Sequence, residues 1–335
     1  MRPSFHPRLI NDPFLDPGLF IPFLFQKRAL LFDLGNLSKL PIGELLKVTH
    51  VFVTHTHMDH FIGFDTLLRL FIGREKELHL FGPSDFLKHV KGKLAGYSWN
   101  LVNEYKNNFT LMVTEVHHDQ TLTKDYACRD QFRGGKKEVT EPFTGILLKE
   151  PAFDVEAVLL DHRIPCMGLS IKESFYVNIM KEGLITLGLP VGAWLNRFKQ
   201  ALYEERDLET DFLVTWKQKE KGVRGKSFRL GELAQKIATI SPGQKITYIT
   251  DILGSPENRE KVLELADKAD HLFIEAAFLD RDRDMAEKKY HLTAKEAGEL
   301  AKKAGVKRFT PFHFSPRYSG RHEEIRREAM EAFHN

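Results

Sequence analysis

The stretch that most constrains this chain is seven residues long, Thr54-His55-Thr56-His57-Met58-Asp59-His60. The apolar run from Val48 to Thr54 before it reads as a strand. The residues after it, Phe61, Phe64, Leu67, Leu68 and Phe71, repeat with helical spacing. Side chains two apart on an extended strand end point the same way, so His55 and His57 can grip one metal ion. Asp59 and His60, at the turn into the helix, can point at a second ion nearby. Nitrogen and carboxylate donors without a thiolate suit zinc or manganese. The bland alternative is a histidine-rich surface loop. Three histidines and an aspartate squeezed between an apolar strand and an amphipathic helix argue against it.

The remainder alternates strand-like and helix-like stretches, without repeats or low-complexity tracts. Ala29–Phe32 reads as a strand closing on Asp33, and Leu78–Phe81 as one ended by Gly82-Pro83. A run of antiparallel strands is expected from Phe109 to Val158, with an exposed loop over residues 127–140. The texture changes over residues 172–245, with helix-like pieces, a Gly-Leu-Pro-Val-Gly turn at 188–192 and a basic stretch. Regular order then returns. A strand from Lys245 to Thr250 ends at Asp251, and Ser255-Pro256 caps a helix running to about Lys268. His271–Ile274 ends at Glu275. Thr293 and Glu296 form a capping box for a helix that Gly305 stops, and Val306–Phe312 delivers His313. Asp251, Glu275 and His313 therefore sit at C-terminal ends of predicted strands, where α/β sheets gather their chemistry on one rim.

Composition removes several alternatives. At 335 residues the chain can bury a sizeable core. Its formal charge of +3 implies no polyanionic partner by itself, so any such partner must be argued from local patches. Two cysteines, Cys128 and Cys166, exclude a disulfide scaffold and a four-thiolate zinc site, and fit a reducing cytosol. Asp12, Asp16 and several prolines break every early apolar run. Neither a signal peptide nor a membrane span is expected, and cytoplasmic residence follows.

His55-x-His57-x-Asp59-His60 resembles the signature of the metallo-β-lactamase superfamily. Five downstream motifs are similar to those of its ribonuclease Z branch, the tRNA 3′-processing endonucleases. They are Leu160-Asp161-His162, Ile249-Thr250-Asp251, Phe273-Ile274-Glu275-Ala276, His291-Leu292-Thr293 and His313-Phe314-Ser315-Pro316-Arg317-Tyr318. The resemblance implies an α/β metallo-β-lactamase four-layer αβ/βα sandwich, two mixed β-sheets with helices on both outer faces. It implies a single domain over 1–335 carrying an inserted arm at 172–245. It also implies two zinc ions per chain, with manganese as a possible substitute. His55, His57 and His162 would hold one ion; Asp59, His60 and His313 would hold the other; Asp251 would bridge them. Asp33 would be structural. Asp59 would orient the attacking hydroxide, and His291, kept charged by Glu275, would protonate the leaving 3′-oxygen. Taken alone, His162 reads as a satisfied core histidine, His291 as a loop histidine and Arg317 as half of a surface ion pair. Their places in the ordered motifs reverse those readings, and Arg317 becomes a phosphate contact.

The arm is expected to grip RNA. Its basic stretch holds Lys217, Lys219, Lys221, Arg224, Lys226 and Arg229 against one acid, Glu220, with Trp216 and Phe228 flanking it. A solvated loop is the alternative. The expected partner is a tRNA precursor, without membrane contact, and the resemblance implies a homodimer. The chain departs from the family pattern in two places. It lacks the glycine-rich first turn and Pro-x-Lys-x-Arg loop near the N-terminus, and Leu34-Gly-Asn-Leu37 stands where Gly-Glu-Gly-Thr is usual. Both departures fall where substrate should sit. Two other readings remain open at this point: a hydrolase of a small phosphodiester or other ester, and a non-catalytic RNA-binding relative.

Overall fold

The computed structural model describes residues 5–24, 26–135, 138–218 and 222–335. Within these, residues 5–147, 155–171 and 245–335 form the larger of two compact units, and residues 148–154 and 172–244 the smaller.

An eight-stranded mixed sheet opens the larger unit. Its strands lie in chain order: β1 (Arg8–Leu9), β2 (Leu19–Pro22), β3 (Ala29–Phe32), β4 (Val48–Phe52), β5 (Lys76–Pro83), β6 (Phe109–Val116), β7 (Gln120–Ala127) and β8 (Val139–Pro142). Strands β3 to β6 run parallel, while the flanking pairs are antiparallel. The chain goes on through β9 (Ile146–Glu150), β10 (Phe153–Asp161), β11 (Pro165–Glu173), β12 (Phe175–Ile179), β13 (Asp211–Gln218), β14 (Gly222–Arg229) and β15 (Ala238–Pro242). It ends with β16 (Lys245–Ile249), β17 (His271–Glu275) and β18 (Phe309–Phe312). A six-stranded sheet has the order β18-β17-β16-β11-β10-β9.

Strand alternation sorts the two faces of each sheet. On β3 and β4, Leu31 and Val51 join a core with Phe64, Leu67 and Phe71 of the helix Phe64–Phe71 and Val90 of the helix Phe86–Ala95. Their neighbours Phe32 and Phe52 turn the other way. The Phe32 ring lies 6.0 Å from that of Tyr248 on β16, whose ring stacks 5.1 Å from Phe312 on β18. The six-stranded sheet buries Leu272 and Ile274 against the helices Pro256–Ala266 and Ala294–Lys303 through Val262, Leu265, Ala297 and Leu300. Two mixed sheets face each other with helices outside both, as the family resemblance implied. No helix among the described residues is long and apolar enough to cross a membrane.

Three local expectations need correction. The amphipathic stretch after His60 is split between two helices, Met58–Phe61, which holds Phe61, and Phe64–Phe71. Gly63 separates them, with its N–H on the Leu34 carbonyl at 2.8 Å; a Cβ there would lie 2.3 Å from the Gly35 oxygen. Residues 127–140 are not simply an exposed loop. Cys128 and Phe132 are buried, and Trp99 packs edge-on against Phe132 at 4.7 Å. Lys136 and Lys137 of that stretch lie outside the described residues. Finally, β6 pairs parallel with β5 along its whole length and antiparallel only with β7, so β5 continues through Gly82-Pro83 instead of ending there.

The smaller unit pairs β12 with β15 and β13 with β14, both antiparallel. Val177, Leu184, Trp194, Phe198, Val214, Leu233 and Ile237 form its own core. In the 188–192 turn, Gly188 takes a left-handed backbone (φ +66°), and the Trp194 indole N–H donates to the Pro190 carbonyl at 2.8 Å.

His50 of β4 stacks on His79 of β5 with ring centroids 4.5 Å apart. Burial, followed by the charges of His79, Arg28 and Lys76, lowers its pKa to about 3. The unfolded chain takes up this proton near pH 6.5, so the group's contribution to stability is full above that pH and is lost as pH falls toward 3. His50→Phe should flatten the decline of unfolding free energy near pH 5 by up to about 1.4 kcal/mol per pH unit. Urea denaturation at pH 5 and pH 7 tests this, and an unchanged slope would exclude His50 as a source.

Candidate metal centre

The site begins with a buried carboxylate whose two oxygens are both engaged by protein donors. Asp33 follows β3 in a left-handed backbone (φ +63°), a conformation uncommon outside glycine but tolerated by aspartate. It is fully buried and accepts hydrogen bonds from the Thr54 N–H (2.7 Å), the Thr54 hydroxyl (3.1 Å), the Tyr248 hydroxyl (3.0 Å) and His60 Nδ1 (2.9 Å). Thr54 is thereby fixed at the end of β4, where His55 and His57 begin. The bond to Nδ1 leaves the outer nitrogen of His60, Nε2, pointing away. This is the usual way in which a ligating imidazole is oriented.

Distant strand ends supply the rest. His162 follows β10, and its Nδ1 donates to the Tyr290 carbonyl at 2.7 Å. The buried Asn258 holds the preceding residue, accepting from the Asp161 N–H (2.9 Å) and donating to the Asp161 carbonyl (2.8 Å). Asp251 follows β16 and His313 follows β18, both in left-handed backbone (φ +52° and +56°). Such turns at strand ends swing both side chains to the same rim.

All seven expected ligands meet there. One ligand atom from each of His55, His57, His162 and Asp251 lies within 4.8 Å of the others, and the same holds for Asp59, His60 and His313. Asp251 is central. Nε2 of His55, of His60 and of His162 each stands 3.5 Å from its Oδ2, and His313 Nδ1 stands 3.2 Å from its Oδ1. Asp59 Oδ2 lies 3.5 Å from His60 Nε2 and 3.3 Å from His313 Nε2. His55 Nε2, His60 Nε2 and His313 Nδ1 are buried without a hydrogen-bond partner. Leaving such groups unmatched is costly. The 3.5 Å separations are long for hydrogen bonds. They match the edge of a tetrahedron around a zinc ion, which is about 3.4 Å for ligands 2.0–2.1 Å from the metal. The donor set therefore fits divalent metal binding, with nitrogen and oxygen donors only.

Charge agrees with geometry. Burial opposes ionisation of Asp251, but His313 and His60 outweigh it and hold the carboxyl well below the usual range. Burial likewise opposes a charge on His60, yet Asp251 and Asp33 draw positive charge to that ring. A divalent ion at Nε2 would supply the same charge.

His291 lies beside the cluster. Glu275, at the end of β17 and fully buried, accepts from the Ile252 N–H at 2.7 Å through one oxygen and pairs with His291 Nδ1 at 2.8 Å through the other. Burial would pull the His291 pKa down. The Glu275 charge and hydrogen bond prevail and raise it to about 9. Glu275 and His291 also lie within 4.8 Å of Asp251 and His313, but both Glu275 oxygens are already engaged. This favours an acid over a further ligand.

The expected RNA contacts are not brought together in the same way. The Arg317 guanidinium lies 3.4 Å from Asp282 in a half-exposed ion pair. Within the hairpin, Trp216 pairs with Arg224 and Val214 with Lys226, while Lys217 pairs with Val223 and Asp211 with Arg229. Cross-strand partners share a face. Arg224 and Lys226 therefore stand on the face that carries the buried Val214, and Lys217 and Arg229 on the other. Lys219 and Lys221 lie outside the described residues. Asn258, Tyr248, Cys166 and the Tyr290 carbonyl were missed from sequence. Cys166 Sγ sits buried 3.8 Å from His55 Nδ1. Their partners are remote in the chain, and no local pattern marks them.

A model of the β-lactamase superfamily domain matches residues 220–314. Among solved structures, the metallo-β-lactamase fold protein YhfI from Bacillus subtilis superposes with TM-score 0.54 at 16% identity, covering 98% of this chain and 95% of that one. The short form of human tRNase Z superposes with TM-score 0.50 at 18% identity, covering 94% and 93%. The chain thus shares the fold of metallo-β-lactamase fold proteins, and with its metal-ligand cluster it is a hydrolytic enzyme. In sequence the chain is similar to proteins named ribonuclease Z. That of Deinococcus radiodurans is 29% identical over 315 residues, 92% of this chain and 90% of that protein. That of Enterococcus faecalis is 28% identical over 327 residues, 95% and 87%.

Asp33→Asn preserves shape while removing the charge that orients His60. It should weaken metal binding about 10- to 100-fold in chelator competition. Loss of thermal stability with metal affinity intact would make Asp33 a purely architectural residue.

Proposed function

We propose that this protein is a zinc-dependent endoribonuclease that hydrolyses the phosphodiester releasing the 3′ trailer of tRNA precursors. The observation carrying this reading is the convergence of two ligand sets on Asp251 beside the His291–Glu275 pair. His55, His57 and His162 would hold one ion, Asp59, His60 and His313 the other, with Asp251 shared; manganese would suit the same donors. Divalent ions held there would make water more acidic and offset charge on the phosphate. Asp59 orients the attacking water. His291 donates its proton to the leaving 3′-oxygen, and Glu275 keeps that proton available near neutral pH. Similarity to ribonuclease Z sequences over some nine-tenths of the chain, 92% for the Deinococcus protein, supports RNA as substrate.

In this reading, residues 172–245 are an inserted arm that contacts the tRNA body, with Lys217, Arg224, Lys226 and Arg229 meeting phosphates together with Lys219 and Lys221. Arg317 contributes a phosphate contact at the site after leaving Asp282. The enzyme acts in the cytoplasm as a homodimer. The division of the hairpin's cations between two faces favours a second reading, a hydrolase of small phosphodiesters. Zinc-loaded protein incubated with a tRNA precursor and, separately, with bis(p-nitrophenyl) phosphate distinguishes the two. Cleavage at the 3′ end of the tRNA body supports the first, and turnover of the small ester alone supports the second.

Asp251→Ala should remove most of both ions, by elemental analysis. One ion per wild-type chain, unchanged by zinc supplementation, would exclude a two-metal site. His291→Ala should keep metals and RNA affinity while slowing cleavage by about 10²–10⁴-fold. Loss of metal in that variant would make His291 a ligand instead.

A further inference from the structure

The segment in which this chain departs from the ribonuclease Z pattern forms a wall of the pocket beside the metal centre. A cavity of about 290 Å³ is lined by Phe14, Phe278, Phe314, Lys289, His291 and His313, among others. That is near the lower end for small-molecule sites. It has room for one ring system with its attached phosphate and none for a duplex. Phe278 and Phe314 are buried, whereas Phe14 is part-exposed and meets Phe314 edge-to-face, centroids 5.4 Å apart.

Phe14 is held in place from several directions. The Phe314 N–H donates to the Pro13 carbonyl at 2.7 Å, and the Leu15 N–H closes a turn onto the Asp12 carbonyl at 2.9 Å. The Gly35 N–H donates to the Pro17 carbonyl at 3.0 Å, an approach that only glycine permits, since a Cβ would lie 2.4 Å from that oxygen. Asp16 accepts from the Asn36 N–H at 3.2 Å and adds a negative charge to the same wall. Aromatic rings with an acid repel phosphate and welcome an uncharged planar group. Phosphate would be held instead at the ligands Asp59 and His313 and by Lys289, which line the same pocket, Lys289 having no ion-pair partner among the described residues.

We infer that this pocket takes one unstacked nucleobase, that of the nucleotide whose 3′-oxygen leaves, and that Phe14 is the ring it stacks on. The inference rests on the phosphodiesterase reading of the same site, because His291, the acid for that oxygen, lines the pocket. It makes Phe14 a specificity-determining residue for the nucleotide 5′ to the cut.

The test uses the full-length, zinc-loaded chain as wild type, Phe14→Ala and Phe14→Trp. Calorimetry measures binding of adenosine 3′-monophosphate and of inorganic phosphate. Phe14→Ala should weaken the nucleotide roughly 5- to 100-fold, Phe14→Trp should retain it, and phosphate affinity should not change. Kinetics compares a tRNA precursor with the same RNA made abasic at the nucleotide 5′ to the cut. Removing the base should lower kcat/KM by a similar factor in wild type but have little further effect in Phe14→Ala. Unchanged nucleotide affinity in Phe14→Ala, or equal losses for nucleotide and phosphate, overturns the inference. If Phe14-dependent nucleotide binding is found without hydrolysis of any phosphodiester, the enzymatic reading fails and the pocket assignment stands.

Discussion

One buried carboxylate joins the parts of this molecule. Asp33 sits at 0% exposure between the two sheets and accepts from β16 through Tyr248 and from Thr54 and His60 after β4. An ionised group so placed is tolerable only when its oxygens are matched, and here four donors match them. The arrangement ties the facing sheets to each other at the rim where the ligands gather. It also turns His60 so that Nε2 faces Asp251. Architecture and chemistry therefore depend on the same contact.

Around that anchor, the chain repeats one device. Parallel strands end together, and the residue after the strand, or one residue further on, adopts a left-handed backbone that turns its side chain over the rim: Asp33, Asp251 and His313. Glu275, still within β17, connects neighbouring loops through the Ile252 N–H and His291. Two of the imidazoles that reach the centre are backed by another group, His60 by Asp33 and His162 by the Tyr290 carbonyl, with the latter's strand end held by Asn258. Orientation comes from these fixed hydrogen bonds.

The elements around the metal centre are less uniform. The smaller unit has its own core, and strand alternation divides its hairpin's cations between two faces, so a dense charge run in sequence is not one patch in space. The N-terminal segment is irregular, yet backbone hydrogen bonds fix it and it contributes Phe14 to the pocket. Variation in such segments changes what enters a site without touching the ligands.

Sequence alone determined the parts with short-range causes. The histidine cluster after an apolar strand, the Ser255 cap, the Thr293–Glu296 capping box and the strand ends at Asp251, Glu275 and His313 were legible because strand alternation, helical period and capping act within a few residues. The grouping of those strand ends with His162 and His291 into one site came from resemblance to a family's ordered motifs, not from local pattern. Only the tertiary structure decided the break at Gly63, the burial of Cys128 and Phe132, the roles of Asn258 and Tyr248, and the place of Phe14. Each depends on a partner far along the chain: Tyr248 meets an aspartate 215 residues away, and Asn258 a backbone 97 residues away. Such contacts form when separate sheets and loops pack, and no periodicity within one segment encodes them.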